Sequence, residues 1–400
     1  MGPYRTLYID MNSFFASVEQ QLDPALRSCP VAITALDSDH GACVAASYEA
    51  KAFGVKTGTS VRDARLMCPG IVFRPSRHRL YVRINLRIAD VIDRYAELER
   101  IRSVDEFQVA LSGDATTLDG AKLLVARLKT AVLEEVGACL RFSAGIGPNH
   151  LLAKIAGKLE KPDGFRWLSS DNMPDAVAHL ALDDLPGISR AMRERLERAS
   201  VRDIPALWRL DPRHARAIWR SVEGERFVRA LQGMPVPLVE TKRGGFGSSK
   251  VLAPEFRGPW AAYHVSRWLV EKAAMRLRRE GRVAASFSLT LRLFNGLRLA
   301  GSLRCSATQD TAEFLRMNRQ LWRISWPKVR GTKLMSVGVQ LGDIDLLANR
   351  SGDLFGPLAP AERTPGERVS AAADFINARF GPDTIRFGFN QAHPGFFEKG

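Results

Sequence analysis

Asp10 closes the first apolar run of the chain, and Asp105 and Glu106 sit inside a later one, Ser103-Val-Asp-Glu-Phe107. Tyr48-Glu-Ala-Lys51 lies between them, and a lysine-bearing stretch runs up to Lys161 after them. Three carboxylates brought together by folding can hold two divalent metals, and a tyrosine with two lysines can hold a triphosphate. That combination is the minimum for joining a nucleotide to the 3′ end of a nucleic acid. An Asp-Glu pair alone carries little weight, because surface loops are full of them. Here Val104 and Phe107 flank the pair, and burying adjacent carboxylates without a partner is costly. A metal, an Arg or a Lys must compensate; an ion pair with Arg100 or Arg102 would do so without any catalytic role. Strict strand alternation would send Asp105 and Glu106 to opposite faces, so both serve one site only at a bend or a strand end.

Lys154, Lys158 and Lys161 fall at i, i+4 and i+7 and form one stripe. A solvated face and a phosphate contact both fit such a stripe. Gly145-Ile-Gly-Pro before it lets backbone come close to something, which favours phosphate. Leu185-Pro-Gly-Ile-Ser189 resembles the turn of a helix-hairpin-helix, whose backbone amides grip a phosphate. Ser189 replaces the usual second glycine, and an ordinary helix–helix turn fits as well.

The elements that must position these residues follow from periodicity. Residues 6–11 read as a strand and 13–22 as a helix, with Asn12 or Ser13 able to cap it. Asp10 then stands at a strand end facing a helix N-terminus. Residues 30–76 mix short strands with helix-like runs at 49–53 and 61–67. Residues 81–99 read as a helix, 101–111 as a strand around the two acids, 121–136 as a helix and 140–146 as a strand. Asn149 caps a helix reaching Glu160 or Lys161, closed by Pro162 and Gly164. Strands and helices alternating around buried acids predict an α+β catalytic core. Residues 176–231 read as all helix, and 235–245 as a linker.

The next segments read strand 249–252, helix 259–280, strand 284–294, strand 298–305, helix 309–322 and strand 332–341. That β-α-β-β-α-β order predicts a ferredoxin-like unit. In its hairpin an odd loop at 295–297 pairs Leu293 with Leu299 and Leu289 with Leu303, keeping the leucines on one face. The other face then carries Ser286, Ser288, Thr290, Arg292, Ser302 and Arg304, small and basic, suited to a phosphate backbone. Residues 369–380 read as a last helix.

Composition agrees with a polyanion partner. The 400 residues carry a formal net charge of +15. Between Phe246 and Leu341 stand 17 Lys/Arg against 5 Asp/Glu, an excess of +12 in that quarter of the chain. A localised excess favours a nucleic-acid surface over diffuse basicity. The five cysteines have neither metal-ligand nor redox spacing. No signal-peptide pattern precedes Tyr4, and no apolar stretch is long enough to span a bilayer, so a cytoplasmic protein with reduced thiols and no membrane contact is expected.

These pieces together resemble the Y-family, the translesion DNA polymerases, in the bacterial UmuC/DinB-like manner, over residues 4–345. Asp10-Met-Asn-Ser-Phe-Phe15-Ala-Ser-Val-Glu19 looks like the family's first motif, and Ala46-Ser-Tyr48-Glu-Ala-Lys51 through Gly58 like its finger motif. Ser103-Val-Asp-Glu106 looks like the second acidic motif. Gly145-Ile-Gly-Pro-Asn149, Ala153-Lys-Ile-Ala156 and Lys161-Pro-Asp-Gly164 look like the third. The resemblance implies Asp10, Asp105 and Glu106 as catalytic metal ligands, with the Met11 carbonyl, for two Mg²⁺ ions that Mn²⁺ can replace. It implies Phe14, Phe15, Tyr48, Lys51 and Lys161 against the nucleotide, Phe15 being the steric gate that blocks a ribose 2′-hydroxyl. Lys154, Gly187, Ser189, Lys250, Arg292 and Arg304 are the expected DNA contacts.

The fold implied is a right hand: palm at 1–11 and 77–166, fingers at 12–76, helical thumb at 167–234, linker at 235–245, ferredoxin-like little finger at 246–341 and a tail at 342–400. A monomer extending primer-template DNA with deoxynucleoside triphosphates at low fidelity is expected, with no span left for a 3′→5′ exonuclease. Several residues depart from the usual pattern. Asn12 stands where many members have Asp, though the UmuC branch also has Asn. Lys51 stands where Arg is common, replacing a bidentate clamp with a point charge. Ser351-Gly-Asp-Leu-Phe355 resembles the sliding-clamp motif with Ser at the Gln position. The alternatives are a catalytically weak, polymerase-like accessory DNA-binding protein, which would usually lack the acids, and a nucleotidyl cyclase, which would not need the basic unit.

Overall fold

The computed structural model describes residues 3–35, 39, 41–237, 243–350, 363–381 and 383–390. The Asp353–Phe355 segment lies outside them. The described chain forms two compact units, one on each side of the segment read as a linker. Among the described residues no helix is long and apolar enough to cross a membrane.

The first unit runs β1 (Thr6–Met11), α1 (Phe14–Leu22), β2 (Val31–Thr34), β3 (Cys43–Ala46), α2 (Tyr48–Ala52), α3 (Val61–Met67), β4 (Val72–Pro75) and α4 (His78–Asp93). It continues with β5 (Leu98–Ile101), β6 (Glu106–Ala110), α5 (Leu118–Glu135), β7 (Phe142–Gly147), α6 (His150–Leu159) and β8 (Phe165–Trp167). Helices α7 (Arg190–Arg198), α8 (Ile204–Arg209), α9 (Pro212–Trp219) and α10 (Val222–Leu231) complete it.

One sheet has the order β5-β6-β1-β7-β8, and a smaller one the order β3-β2-β4. β1 is central in the larger sheet, antiparallel to both β6 and β7. Its six residues are all buried, as a strand covered on both faces requires. Leu7 and Ile9 share a core with Phe107 and Ile146, with Tyr81, Ile88 and Ile92 of α4, and with Val125 and Leu128 of α5.

The other cover is α6, and it lies unusually close. A Cβ at Gly145 would stand 2.0 Å from the Gly157 nitrogen and 2.3 Å from the Ala153 carbonyl oxygen. The close approach that glycine permits here is therefore taken up by a helix rather than by a phosphate. The acid-bearing stretch also differs from the single strand expected over 101–111. β5 and β6 form an antiparallel hairpin. Residues 103–105 make the bend between them, and Arg102 and Ser103 both donate backbone hydrogen bonds to the Glu106 carbonyl.

The second unit runs β9 (Gly245–Val251), α11 (Pro259–Arg279), β10 (Arg282–Leu293), β11 (Arg298–Thr308), α12 (Thr311–Val329), β12 (Leu334–Leu346) and α13 (Pro365–Phe380). Its sheet has the order β11-β10-β12-β9. The helices contribute Val265, Leu269, Phe314 and Trp322 to a core with Phe246, Phe287, Leu289 and Val339 of the strands. The expected β-α-β-β-α-β order is present.

The hairpin loop is odd, but the register is displaced by two residues. Leu291 faces Leu299 and Phe287 faces Leu303. A shift of two leaves every side chain on its expected face, and Leu293 N closes the loop on the Leu297 carbonyl at 2.9 Å.

Helix α13 begins with a capping box at Thr364 and Glu367 and is fastened to this unit by buried charge. Arg278 meets both Asp374 oxygens at 2.7 and 2.9 Å. Fully buried Glu367 accepts from Arg350, Thr308 and the Gln309 backbone at 2.8, 2.9 and 2.8 Å. The end of the chain is thus an integral part of the second unit as far as Asn390, whose amide donates to Glu271 at 2.6 Å.

Candidate active site

Asp10 lies opposite Glu106 in the β1–β6 ladder. Asp105 occupies the bend just before β6, and its carbonyl accepts from the Met11 N–H at 2.9 Å. The bend resolves the alternation problem: three carboxylates reach the same end of the sheet. Burial raises the Asp10 carboxyl above its ordinary value, with Lys161 opposing and with Asp105 and Glu106 adding to the rise.

Lysines supply the compensation. Lys161 Nζ stands 2.5 Å from Asp10 Oδ1. Lys154 Nζ donates to both Glu106 oxygens, at 2.9 and 3.1 Å. Burial alone would raise Glu106. The Tyr8 phenol beside it, with Lys154 and Lys158, outweighs burial and holds the carboxyl below its ordinary value. Arg102 donates instead to Gln108 at 2.7 Å. The lysine stripe on α6 is thus turned onto the carboxylates, held there by the Gly145 contact and by Asn149, which caps α6 through Leu152 N at 3.0 Å. Lys154, expected on DNA, makes its described contacts with Glu106 and over the Tyr8 ring.

A second set of residues arrives from the small sheet. Ser13 has a left-handed backbone, φ +48°, and its side chain does not cap α1. Its hydroxyl accepts instead from Lys51 Nζ at 2.8 Å. Lys51 also lies over the Tyr48 ring, 4.4 Å from its centroid. Burial and Lys161 lower the Lys51 pKa, with Asp10 opposing. Burial, then Asp10, raise that of the Tyr48 phenol, with Ser13 opposing. Asp10, Tyr48, Lys51 and Lys161 therefore sense one another although they are scattered over 150 residues of chain. Phe15 stacks on Tyr81 beside them, ring centroids 4.3 Å apart.

Among the described residues no three acid, His or Cys side chains close on a common point. Each acid is turned to its own donor: Asp10 to Lys161, Glu106 to Lys154 and Asp105 to the Ser103 hydroxyl. The donor set still fits a hard divalent cation, because it offers only carboxylate and carbonyl oxygens and the acids demand positive charge. Asp10, Asp105, Glu106 and the Met11 carbonyl are the groups available to hold one.

The chain is similar to known proteins along most of its length. The model of the impB/mucB/samB family matches residues 9–158, and that of the family's C-terminal domain matches 243–354. DNA polymerase IV of Moorella thermoacetica is 34% identical over 387 residues, covering 95% of this chain and 94% of that protein. DNA polymerase IV of Pelotomaculum thermopropionicum is 32% identical over 387 residues, with 95% and 93% covered. The chain belongs to this family, the Y-family of translesion DNA polymerases. It is a DNA-directed DNA polymerase. In fold it is similar to a solved Y-family DNA polymerase chimera, Dbh-Dpo4(243-245)-Dbh, with a TM-score of 0.71 and 19% identity over 86% of this chain and 99% of that one. Enzymes of this family work with divalent metal ions.

Within the polymerase, two expected contacts are misplaced. Phe14 is buried, 3% exposed, in the core of the larger sheet. Its ring belongs to packing, because a residue at the first turn of α1 must cover β1. Lys250 lies opposite buried Val337, on the helix-covered side of β9 with Phe246. Arg292 lies opposite Ser336, which alternation puts on the other side. Arg292 and Arg304 do share the open face of the sheet. Gly187 has φ +98° before Ser189, which caps α7 through Met192 N at 3.3 Å. A short 3-10 turn, rather than an α-helix, precedes them.

Asn12 and Ser13, the expected caps of α1, both lie among these residues instead. Asn12 is buried; its amide donates to Ser143 Oγ at 3.1 Å and accepts from the Asp163 N–H at 2.8 Å. It thereby ties the loop that carries Lys161 to the end of β1. The one sequence signal for this was its departure from the usual Asp. Asn12→Ala is expected to raise the nucleotide KM about tenfold by releasing Lys161, while Asn12→Asp, which keeps an acceptor for Asp163, stays close to wild type. Steady-state kinetics of both variants decides it; equal effects would exclude the tether.

Proposed function

We propose that Asp10, Asp105 and Glu106, with the Met11 carbonyl, hold two divalent ions, Mg²⁺ with Mn²⁺ as a substitute, and that primer-template DNA and a deoxynucleoside triphosphate are the substrates. The bound ions would acidify the primer 3′-hydroxyl and neutralise the departing pyrophosphate. The nearness of these acids to Tyr48, Lys51 and Lys161, which bear on one another's charges, supports the reading. Tyr48, Lys51 and Lys161 bind the triphosphate and set its α-phosphorus for in-line attack. Lys51 and Lys158 both have pKa values pushed down, first by burial and then by neighbouring lysines; an incoming polyphosphate relieves that repulsion. The Phe15 ring lies against the sugar and excludes a 2′-hydroxyl.

In this reading residues 1–11 and 77–166 are the palm, 12–76 the fingers, 167–234 the thumb and 246–341 the little finger. Low fidelity is part of the proposal, supported by family membership. Asp105→Ala is expected to abolish primer extension on undamaged and abasic templates while leaving DNA binding nearly intact, because it removes one ligand and touches no basic residue. Wild-type extension by this variant would overturn the metal assignment.

The open sheet of the second unit is proposed to track the phosphate backbone. Arg292 and Arg298 stand directly opposite each other, both exposed, and like charges so placed destabilise a bare sheet. Ser288 and Ser302 beside them share a 3.1 Å hydrogen bond. Small side chains between cations let a backbone lie close without reading bases. Each of Arg292→Ala and Arg304→Ala should weaken binding equally on unrelated sequences and flatten the slope of log K against log salt by about 0.9 on duplex DNA. Unchanged slopes would place the DNA elsewhere.

Asp353-Leu354-Phe355 is proposed to dock on a sliding clamp, with Leu354 and Phe355 as apolar anchors. Binding is expected to be weak, because Ser351 lacks the amide of Gln, and a tethered polymerase tolerates weak binding. Calorimetric titration of the 346–360 peptide against the cognate clamp should show binding that Leu354→Ala and Phe355→Ala abolish; heats unaltered by those changes would reject it.

A further inference from the structure

Glu19 is a buried acid of the first unit that the reaction does not use. Its side chain is 2% exposed, and such a group needs partners. Arg77 Nε donates to it at 3.0 Å, and the Tyr81 hydroxyl donates to the same oxygen at 2.8 Å. Arg77 closes a second contact through its Nη2. The Tyr81 ring is fully buried, and its face is the surface on which Phe15 stacks, at 4.3 Å and 17° between planes. Phe15 and Glu19 are four residues apart on α1, one turn, so they share a face. That face grips Tyr81 at two points, ring on ring and carboxylate on phenol.

We infer that Tyr81, held by Glu19 and Arg77, is a positioning residue that sets sugar selectivity by fixing the Phe15 ring; this rests on Phe15 being the gate. A gate works by repulsion, which falls steeply with distance. A phenylalanine ring with nothing behind it turns about its side-chain bonds or retreats by a few tenths of an ångström, and either motion opens space for a hydroxyl. Tyr81 removes that freedom from behind. The phenol–carboxylate bond stops Tyr81 itself from sliding, and Arg77, the residue before α4, anchors the carboxylate. The selectivity of the site then depends on three side chains that touch neither nucleotide nor metal.

The test is the ratio of deoxy- to ribonucleotide kcat/KM in the full-length polymerase for Tyr81→Leu, Tyr81→Phe, Glu19→Gln and Phe15→Ala. Tyr81→Leu should lower the ratio roughly tenfold or more through better ribonucleotide use, with deoxynucleotide kcat/KM little changed. Tyr81→Phe keeps the stack and should recover most of the ratio. Glu19→Gln, which keeps an acceptor for the phenol but weakens the Arg77 contact, should fall between them. If Tyr81→Leu proves too unstable to assay, the ordering of wild type, Tyr81→Phe and Glu19→Gln carries the decision, and equal ratios in those three would overturn the inference. A drop in activity with both sugars at constant ratio, while Phe15→Ala collapses the ratio, would confine Tyr81 and Glu19 to packing. A ratio unchanged in Phe15→Ala would instead remove the gate itself.

Discussion

Three carboxylates at one end of a covered sheet repel one another, and the first unit is arranged around that repulsion. Desolvation makes each charge more costly and strengthens every charge nearby. Burial, with Asp105 and Glu106 adding to it, disfavours the charged form of Asp10. The fold instead brings ammonium groups within hydrogen-bond reach, Lys161 at Asp10 and Lys154 at Glu106. The glycines of β7 let α6 settle onto the sheet closely enough for this. A larger residue at 145 would lift the helix and with it the lysines that the acids need. Removing one partner would leave a charge unpaired at a partly buried place, which is destabilising.

The same geometry explains how residues far apart in sequence come to lie near one another. β1 delivers Asp10, and the chain turns at once into α1 through a left-handed Ser13. That turn puts the Ser13 hydroxyl where Lys51 can reach it and puts Phe15 beside Tyr81. The end of β1, the Phe15 ring and the Lys51 ammonium are thus placed by consecutive residues of a single corner. The second unit works on a different principle. Its open face instead sets exposed arginines among small side chains.

Much of this was legible in the residues. Local patterns located most helices and strands, though α4 ends six residues before the expected position and α12 seven after it, and the parity of the hairpin loop followed from keeping leucines together. What failed has physical reasons. Ile101–Leu111 looks like one strand because the bend at 103–105 contains neither Gly nor Pro; the fold imposes it. Gly145 signals close approach, but sequence does not say to what. Lys250 and Arg292 look alike in composition, and only pairing register separates the covered face from the open one. Phe14 and Phe15 are adjacent rings, and which one points inward depends on where α1 crosses β1. Ser13 and Asn12 act through partners 38 and 151 residues away, beyond any local pattern.

The departures from the usual family residues are absorbed by local chemistry rather than tolerated as defects. An amide at position 12 uses both of its ends, donor to Ser143 and acceptor from Asp163. A carboxylate there could still accept, but it would add charge beside Asp163, already engaged by Lys129 at 3.0 Å, and close to the acid trio. Asn12 therefore holds the same loop with less electrostatic strain. Lys51 in place of Arg follows a similar logic. A planar guanidinium fork needs two acceptors in fixed geometry, whereas an ammonium on a flexible stem satisfies itself with one hydroxyl and an aromatic face. Ser13 and Tyr48 offer those two things, so the point charge is placed by its neighbours instead of by its own shape.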